Sequence, residues 1–214
     1  MRLKHIPGSE EAVASSPFVI REPELCPGRW HEIFGLGEGR PLYLEAGMGK
    51  GQFITELARR HPEINFLGLE VYPSVMIKAL KKQEELQLPN LRFICRNADQ
   101  VKQFFAPGEI DRLYLNFSDP WPKDRHAKRR LTSPQFLALW RSVLSPAGQL
   151  EFKTDNQDLF SFSLDSVQSC GWALIASTRD LHGDALLSQG NVMTEYEEKF
   201  SGRGNTICKL IARP

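Results

Sequence analysis

A short segment in the second half of the chain combines an acidic, proline-stiffened aromatic turn with a cluster of positive charge. Residues 119–122 read Asp-Pro-Trp-Pro, and residues 125–130 hold five basic groups in six positions. An aromatic side chain beside a carboxylate suits a flat, polar ring, which can stack while an oxygen accepts a hydrogen bond from its edge. Lysine and arginine suit phosphates, and each such contact releases about one counterion. The segment therefore predicts chemistry on a base that is attached to a polyanion.

The basic residues of this segment are the predicted phosphate contacts: Lys123, Arg125, His126, Lys128, Arg129 and Arg130. A charge run is often only a solvated surface, and a rigid turn in which Trp121 covers the core is an equally simple interpretation of the turn. The whole chain, however, has 27 Lys and Arg against 26 Asp and Glu and a net charge of +1. Because the patch differs in sign from a near-neutral chain, it favours local binding of nucleic acid.

A glycine-rich turn earlier in the chain predicts a site for a nucleoside without a pyrophosphate. Residues 45–51 read Glu-Ala-Gly-Met-Gly-Lys-Gly, and Gly47 and Gly49 would let a ligand approach the backbone closely. The third glycine comes one residue earlier than in the dinucleotide fingerprint, and no Gly-x-x-x-x-Gly-Lys-Ser/Thr phosphate loop is present in the sequence. A carboxylate at Glu45 would repel a pyrophosphate but would accept a cation or hydroxyls.

Three further polar positions complete this prediction. Glu70 lies 23 residues after Gly47 and can accept hydrogen bonds from a ribose diol. Asn97 and Asp99 follow the next apolar run, where they can read an adenine edge. Adenosine, a positive centre and no phosphate together describe S-adenosylmethionine. The simpler alternative is a tight turn whose acidic neighbours interact with helix dipoles.

Short apolar runs alternate with longer amphipathic segments, which predicts an α/β fold with a seven-stranded, mostly parallel, doubly wound sheet. The predicted strands are Leu42–Glu45, Asn65–Glu70, Leu91–Cys95, Ile110–Asn116, Gln149–Lys153, Trp172–Thr178 and Thr206–Ala212. The predicted helices cover about 50–61, 73–87, 99–105, 133–144 and 156–169, the fourth opening with Ser133 as cap and Pro134 in its first turn. A loop-rich stretch with no clear full helix separates the last two strands, so a late antiparallel strand is expected. An irregular arm, 1–40, precedes the main domain, 41–214.

Composition sets looser limits. At 214 residues and 41% hydrophobic content, the chain can bury one sizeable core. Cys26, Cys95, Cys170 and Cys208 form no Cys-x-x-Cys pair, which predicts reduced thiols and no metal site. We expect a cytoplasmic protein, because the N-terminus is too polar for a signal peptide and no apolar stretch is long enough for a membrane span.

Two more polar segments follow predicted strands or loops. Asp155 or Asn156 would cap the helix that begins at about residue 156, and Thr194 with Glu197 matches a capping box. From these residues alone, helix capping is the favoured interpretation of both segments.

Four blocks of residues, in order, resemble the bacterial tRNA (guanine-N7-)-methyltransferase family. They are Leu44–Gly51, Asn116–Lys123 with the basic run to Arg130, Phe152–Asn156 and Gly190–Phe200. The likeness runs from about residue 2 to residue 212, and the second and fourth blocks are highly specific. Ala46 and Met48 depart from the family's usual first loop, which we expect only to repack it. Asn97 stands where the family more often has Asp, so either Asn97 or Asp99 would contact the adenine.

The resemblance implies a Rossmann-like methyltransferase fold and methyl transfer from S-adenosylmethionine to N7 of a guanosine in the tRNA variable loop. Glu45, Glu70, Asn97 and Asp119 would line the cofactor site. Lys123, Asp155, Thr194, Glu195, Tyr196 and Glu197 would contact the substrate, and residues 125–130 the RNA. We assign the catalytic role to Asp119, which would stabilise the positive charge that grows on the purine.

Two other functions stay open from the sequence. The Asp-Pro-Trp-Pro turn also resembles the polar-Pro-aromatic turn of amine methyltransferases, whose acceptor must lose a proton. A non-catalytic RNA-binding module on a degenerate cofactor fold is the second, although Glu45, Glu70 and Asp119 argue against it. A homodimer is compatible with the sequence, which does not fix the oligomeric state.

Overall fold

The computed structural model describes residues 5–214, so the first four residues of the predicted arm lie outside the described range. The described part of the arm is less irregular than predicted. It contains helix α1 (Ser9–Ser15), a short 3-10 helix (Pro23–Leu25) and helix α2 (Trp30–Phe34). These helices are too short to show a periodic apolar pattern; α2 is held by the buried ring of Trp30, whose Nε1 donates to the carbonyl of Phe104 at 3.0 Å. The predicted domain boundary at residue 40 stays a prediction.

The chain forms two compact units that meet in sequence at residues 106 and 107. In the first unit, strands β1 (Leu42–Ala46), β2 (Asn65–Leu69) and β3 (Leu91–Ile94) pair in parallel. Helices α3 (Gln52–Arg60) and α4 (Pro73–Leu86) connect them, and α5 (Val101–Phe104) follows a 3-10 turn at Ala98–Gln100. All residues of β2 are buried, as expected for a strand inside a parallel sheet.

The arm also pairs with the outer edge of β3 at one point. Val19 forms a parallel bridge with Phe93. The amide of Phe93 donates to the carbonyl of Phe18 at 2.9 Å, and the amide of Ile20 donates to the carbonyl of Phe93 at 2.9 Å. The backbone groups at this point of the sheet edge are therefore paired within the chain.

The second unit contains strands β4 (Ile110–Asn116), β5 (Leu144–Thr154), β6 (Ala173–Thr178) and β7 (Cys208–Arg213). Helices α6 (Pro134–Val143) and α7 (Gln157–Ser169) lie between β4, β5 and β6 in sequence, and α8 (Glu195–Ser201) precedes β7. Strands β4 and β5 are parallel, whereas β7 is antiparallel to both β5 and β6. Helix α6 begins as predicted, with Ser133 accepting a hydrogen bond from the amide of Phe136.

The seven strands form one sheet in the order β3-β2-β1-β4-β5-β7-β6. The predicted mostly parallel sheet with a late antiparallel strand is therefore confirmed. Several bounds differ: β5 begins at Leu144 rather than residue 149, β7 covers Cys208–Arg213, and the predicted helix at 99–105 is a 3-10 turn followed by the short α5. The last two strands are separated by a loop-rich stretch and the short helix α8, which begins after the predicted cap at Thr194. The strands β1, β2, β4 and β5 end at Ala46, Leu69, Asn116 and Thr154. In sequence, each of these ends adjoins predicted functional residues. Among the described helices, none is long and apolar enough to cross a membrane.

Candidate active site

The turn after β1 leaves its backbone open at two glycines. Gly47 and Gly49 have φ of 76° and 59°, in the left-handed region that disfavours a side chain. A Cβ atom at either position would meet no atom within 4 Å, whereas one at Gly51 would lie 2.6 Å from the Cβ of Ala79. Gly51 therefore serves the packing of α3 on α4, while the first two glycines face space that a ligand can use.

The glycine turn is fixed to the end of β2. The amides of Gly47 and Met48 donate to the carbonyl of Leu69 at 2.8 and 3.1 Å. The departure at Met48 has a packing reason, because its sulfur lies where a Cβ at Gly68 would collide with it. The turn therefore packs against a small residue of β2.

Glu70 organises the same turn through its carboxylate. Oε2 accepts from the amide of Gly49 at 3.0 Å, and Oε1 accepts from the amides of Val71 and Tyr72 at 2.9 and 3.0 Å. Glu70 is buried, and so is Glu45 on β1. These two carboxylates place oxygen acceptors beside an open glycine backbone, an arrangement that suits hydroxyls and a cation.

The two candidates for adenine contact bind each other. The Asn97 amide donates to Asp99 Oδ2 at 3.1 Å, and Asn97 Oδ1 accepts from the Asp99 amide N–H at 3.4 Å. Both residues are exposed. Asn97 thus caps the 3-10 turn that follows β3 and orients the Asp99 carboxylate.

The loop after β4, residues 117–122, has a strained backbone on either side of Asp119. Phe117 and Trp121 have φ of 51° and 41°, a region that bulky side chains rarely occupy and that recurs at functional sites. The amide of Phe117 donates to the carbonyl of Lys153 at 2.8 Å. Asp119 between them is exposed, and its carboxylate makes no hydrogen bond or ion pair within residues 5–214. We call this segment the acceptor loop.

The basic residues divide into two groups. Arg130 donates to the carbonyls of Pro120 and Trp121 at 2.9 and 3.0 Å, and its guanidinium lies 4.3 Å from the centre of the Phe162 ring. Arg129 lies 4.9 Å from the centre of the Trp121 ring, so one face of that aromatic ring is occupied by a cation. These two arginines hold the acceptor loop in shape.

The second group faces solvent. Lys123, Arg125 and Lys128 are exposed, and among the described residues their side chains have no hydrogen-bond or ion-pair partner. The rings of His126 and Trp121 pack nearly at right angles, with 5.8 Å between their centres. Lys123 precedes a 3-10 helix, Asp124–Arg129, that carries the other residues of this group. This group is the part of the predicted patch that is available to phosphates.

Asp155 and Tyr196, which the sequence placed in different blocks, come together. Burial, the charge of Asp155 and a hydrogen bond to Asp155 raise the pKa of the Tyr196 phenol. Asp155 also accepts from the side-chain amide of Asn205 at 2.8 Å. The Tyr196 ring stacks between Phe117 and Phe200, with ring centres 4.9 and 4.1 Å apart. Asn205 and Phe117 carried no sequence signal for this arrangement.

The capping predictions hold in part. Asn156, not Asp155, caps α7 by accepting from the amide of Leu159 at 2.8 Å. Thr194 caps α8 by accepting from the amide of Glu197 at 2.9 Å. The reciprocal half of the capping box is replaced, because the Glu197 carboxylate bonds Lys153, a residue that the sequence singled out only as part of a motif.

Comparisons with known proteins first define the class. Among solved structures, the 16S rRNA methyltransferase KamB superimposes with a TM-score of 0.63 at 16% identity, covering 87% of this chain and 92% of that one. The aminoglycoside resistance methyltransferase NpmB1 gives 0.58 at 18% identity, covering 87% and 92%. At such low identity these likenesses concern the fold alone, and they confirm the predicted Rossmann-like methyltransferase fold.

Sequence comparison then gives the family. The family described as "Putative methyltransferase" matches residues 39–210. The tRNA (guanine-N(7)-)-methyltransferase of Lachnoclostridium phytofermentans is 52% identical over 99% of this chain and 98% of its own length, and that of Geobacillus thermodenitrificans is 52% identical over 100% and 99%. The Streptococcus suis protein of the same name is 45% identical over 100% and 99%. The chain belongs to the tRNA (guanine-N(7)-)-methyltransferase family, and the resemblance drawn from its motifs is confirmed.

Proposed function

We propose that the protein transfers a methyl group from S-adenosylmethionine to N7 of a guanosine in tRNA. The observation that carries this proposal is the 52% identity to proteins named for that reaction, over nearly the whole of both chains. The described geometry agrees with it, because the chain holds both an anionic, open glycine turn and a strained acidic loop next to exposed cations. The variable loop as the location of the guanosine is a finer part of the same proposal.

The glycine turn fits S-adenosylmethionine. Gly47 and Gly49 leave room for a ligand against the backbone, and the buried Glu45 and Glu70 offer oxygens to hydroxyls and to a positive centre. When bound, this cofactor supplies an electrophilic methyl group on a sulfonium. We assign Glu70 to the ribose hydroxyls, and Asn97 with Asp99 to the adenine edge, where Asn97 orients the Asp99 carboxylate.

The acceptor chemistry asks little of the protein. Guanine N7 carries a free lone pair and loses no proton on methylation, so no strong general base is needed. The protein has to exclude water, orient the base and stabilise the positive charge that forms on the purine. We assign that charge stabilisation to Asp119, whose exposed carboxylate is held on a strained loop rather than committed to a partner among the described residues.

We assign the tRNA contacts to two surfaces of the second unit. Lys123, Arg125 and Lys128 would bind phosphates as exposed cations, with His126 beside them. The Asp155 carboxylate with Tyr196, and the neighbouring Thr194 and Glu195, would contact the nucleotide. A carboxylate suits guanine in particular, because the N1–H and N2–H groups of that base are donors.

Product analysis tests the proposal. An unmodified tRNA transcript is incubated with the enzyme and S-adenosylmethionine, reduced with borohydride and treated with aniline, which breaks the chain at N7-methylguanosine. Cleavage at one guanosine is the expected result. A methyl group that mass mapping places on an exocyclic amine would instead support an amine methyltransferase. Absence of both methylation and calorimetric binding of S-adenosylmethionine would leave only a non-catalytic RNA-binding module.

A further inference from the structure

A buried ion pair connects strand β5 to helix α8. Lys153 Nζ lies 2.6 Å from Glu197 Oε2, and the two side chains are 4% and 0% exposed. The same ammonium donates to the carbonyl of Val192 at 2.9 Å and to Asn191 Oδ1 at 3.1 Å. Each of the three protons of the ammonium can therefore serve a separate acceptor.

The other oxygen of Glu197 is also engaged. Oε1 accepts from the Asn191 amide at 2.8 Å and lies 3.0 Å from Nε2 of His182, whose side chain is 37% exposed. Burial by itself would raise the pKa of Glu197, but the charge of Lys153 and the hydrogen bonds from His182, Lys153 and Asn191 outweigh it, so the pKa lies below its ordinary value. The Glu197 side chain is fully buried among these partners, so its carboxylate is out of reach of RNA in this arrangement.

The pair lies within a closed set of contacts around the acceptor loop. The carbonyl of Lys153 accepts from the amide of Phe117, and the Phe117 ring packs on Tyr196. Tyr196 directly precedes Glu197, and Asp155, whose charge helps to raise the pKa of the Tyr196 phenol, lies two residues after Lys153. A shift of α8 relative to β5 would therefore move Tyr196, and the ring of Phe117 at the start of the loop that carries Asp119.

We propose that Lys153 and Glu197 are positioning residues of the methyl-transfer reaction: their buried pair sets α8 against β5, so that Tyr196 and Asp155 keep their place beside the acceptor loop, and Glu197 does not touch tRNA. This inference rests on the proposed function, and it replaces the substrate contact that the family resemblance implies for Glu197. It leaves Asp155, Tyr196, Thr194 and Glu195 as the residues of these motifs that we assign to the nucleotide.

Four variants test this inference: Lys153→Met, Glu197→Gln, the double variant carrying both changes, and Glu151→Gln as a matched control. Glu151 lies on the same strand and also forms ion pairs, with Arg112 at 2.6 Å and Lys209 at 3.0 Å, but none with α8. Each single change at the pair leaves one buried charge without its partner, whereas the double variant removes both charges. Measurements are kcat for methyl transfer, Kd for tRNA, and the melting temperature, with kinetics at a temperature where every variant is folded.

We expect the single variants to lose kcat without losing affinity for tRNA. Each single variant should lose roughly 10- to 100-fold in kcat, the size of effect that an ångström of misplacement causes, with Kd within about twofold of wild type. The double variant should recover much of the single losses, because coupled residues are not additive. The Glu151 control should retain wild-type kcat.

Other results would overturn it. A Kd for tRNA that rises equally in Glu197→Gln and in the double variant would show direct contact. A wild-type kcat in all folded variants would reduce the pair to a purely structural role. If the single variants do not fold, His182→Ala removes one donor to Glu197 from a half-exposed position, and a lowered kcat with unchanged Kd is again expected. Absence of methylation by the wild-type enzyme would refute the proposed function itself, which the variants alone cannot do.

Discussion

Replacing Arg125 and Lys128 together with alanine should weaken tRNA binding and flatten its dependence on salt. Both side chains are exposed and have no hydrogen-bond or ion-pair partner among residues 5–214, so their removal costs the folded protein little. If each neutralises one phosphate, the slope of log K against log salt should fall by about 1.4 for single-stranded RNA contacts and about 1.8 for a duplex, from about 0.7 to 0.9 per contact. Melting temperature and cofactor binding should stay unchanged.

The measurement is a filter-binding titration of tRNA at several salt concentrations, for wild type and the double variant. Arg130→Ala is the matched control, since it removes an arginine from the same segment. Its guanidinium donates to the carbonyls of Pro120 and Trp121, so its loss should loosen the acceptor loop. We expect a lower kcat for Arg130→Ala, with a salt slope within about 0.3 of wild type.

The two variants distinguish phosphate binding from structural support of the acceptor loop. An unaltered slope in the Arg125 and Lys128 variant would refute phosphate binding by these side chains. The RNA-binding surface would then have to be sought elsewhere, beginning with His5 and the basic residues Arg2 and Lys4, which lie outside the described residues. A slope that falls by a full contact in Arg130→Ala would show that this arginine leaves its carbonyls to bind RNA.

Four further predictions follow from the same structure. Asp119→Asn should lose nearly all methyl transfer at an unchanged melting temperature, because its exposed carboxylate contributes charge rather than packing; near-normal turnover would refute the catalytic assignment. Glu70→Ala should weaken S-adenosylmethionine binding by about 1.5–3 kcal/mol, the cost of losing hydrogen bonds to a charged acceptor, and an unchanged calorimetric Kd would leave Glu70 as a support for the turn alone. Gly51→Ala should destabilise the protein by about 1–3 kcal/mol more than Gly171→Ala, because overpacking adds to the shared left-handed backbone, and equal melting temperatures for the two variants would contradict the packing argument. The pKa of Glu197 in the folded state lies below its ordinary value of 4.5. The ionised carboxylate therefore stabilises the fold above the unfolded-state pKa, and this stabilisation is lost as the pH falls through the folded-state pKa. In acid denaturation below pH 4.5, the free energy of unfolding of Glu197→Gln should fall less steeply than that of wild type.

The parts of the fold with a strong local signal were predictable. Strand β4 has the predicted bounds, Ile110–Asn116, because a continuous apolar run bounded by turn residues leaves little choice. Helix α7 differs from its prediction only at its first residue, since Asn156 marks its cap. By contrast, α1 and α2 are too short for their sequences to show helical periodicity, and they depend on tertiary contacts.

The features of the candidate site that the sequence did not predict are contacts between distant residues and unusual backbone conformations. Lys153 and Glu197 are 44 residues apart, and no pattern in either segment announces their pairing. Nor does the sequence reveal the left-handed backbone of Phe117 and Trp121, because aromatic residues do not favour that conformation. The sequence does not distinguish Arg130 from its basic neighbours, because its role depends on the two carbonyl groups that accept its hydrogen bonds.

The pairing of the arm with β3 gives the two edges of the sheet different capacities for assembly. At the β3 edge, the chain supplies its own neighbour around Val19, so an incoming strand finds the backbone groups of Phe93 already taken. At the β6 edge, no second strand lies beyond Ala173–Thr178 within residues 5–214. A strand from another molecule would therefore meet no competing strand at β6 but would meet the arm at Phe93 of β3. Loss of the arm would free the backbone groups of Phe93 as well, and so would remove the pairing that opposes edge-to-edge association at this point of β3.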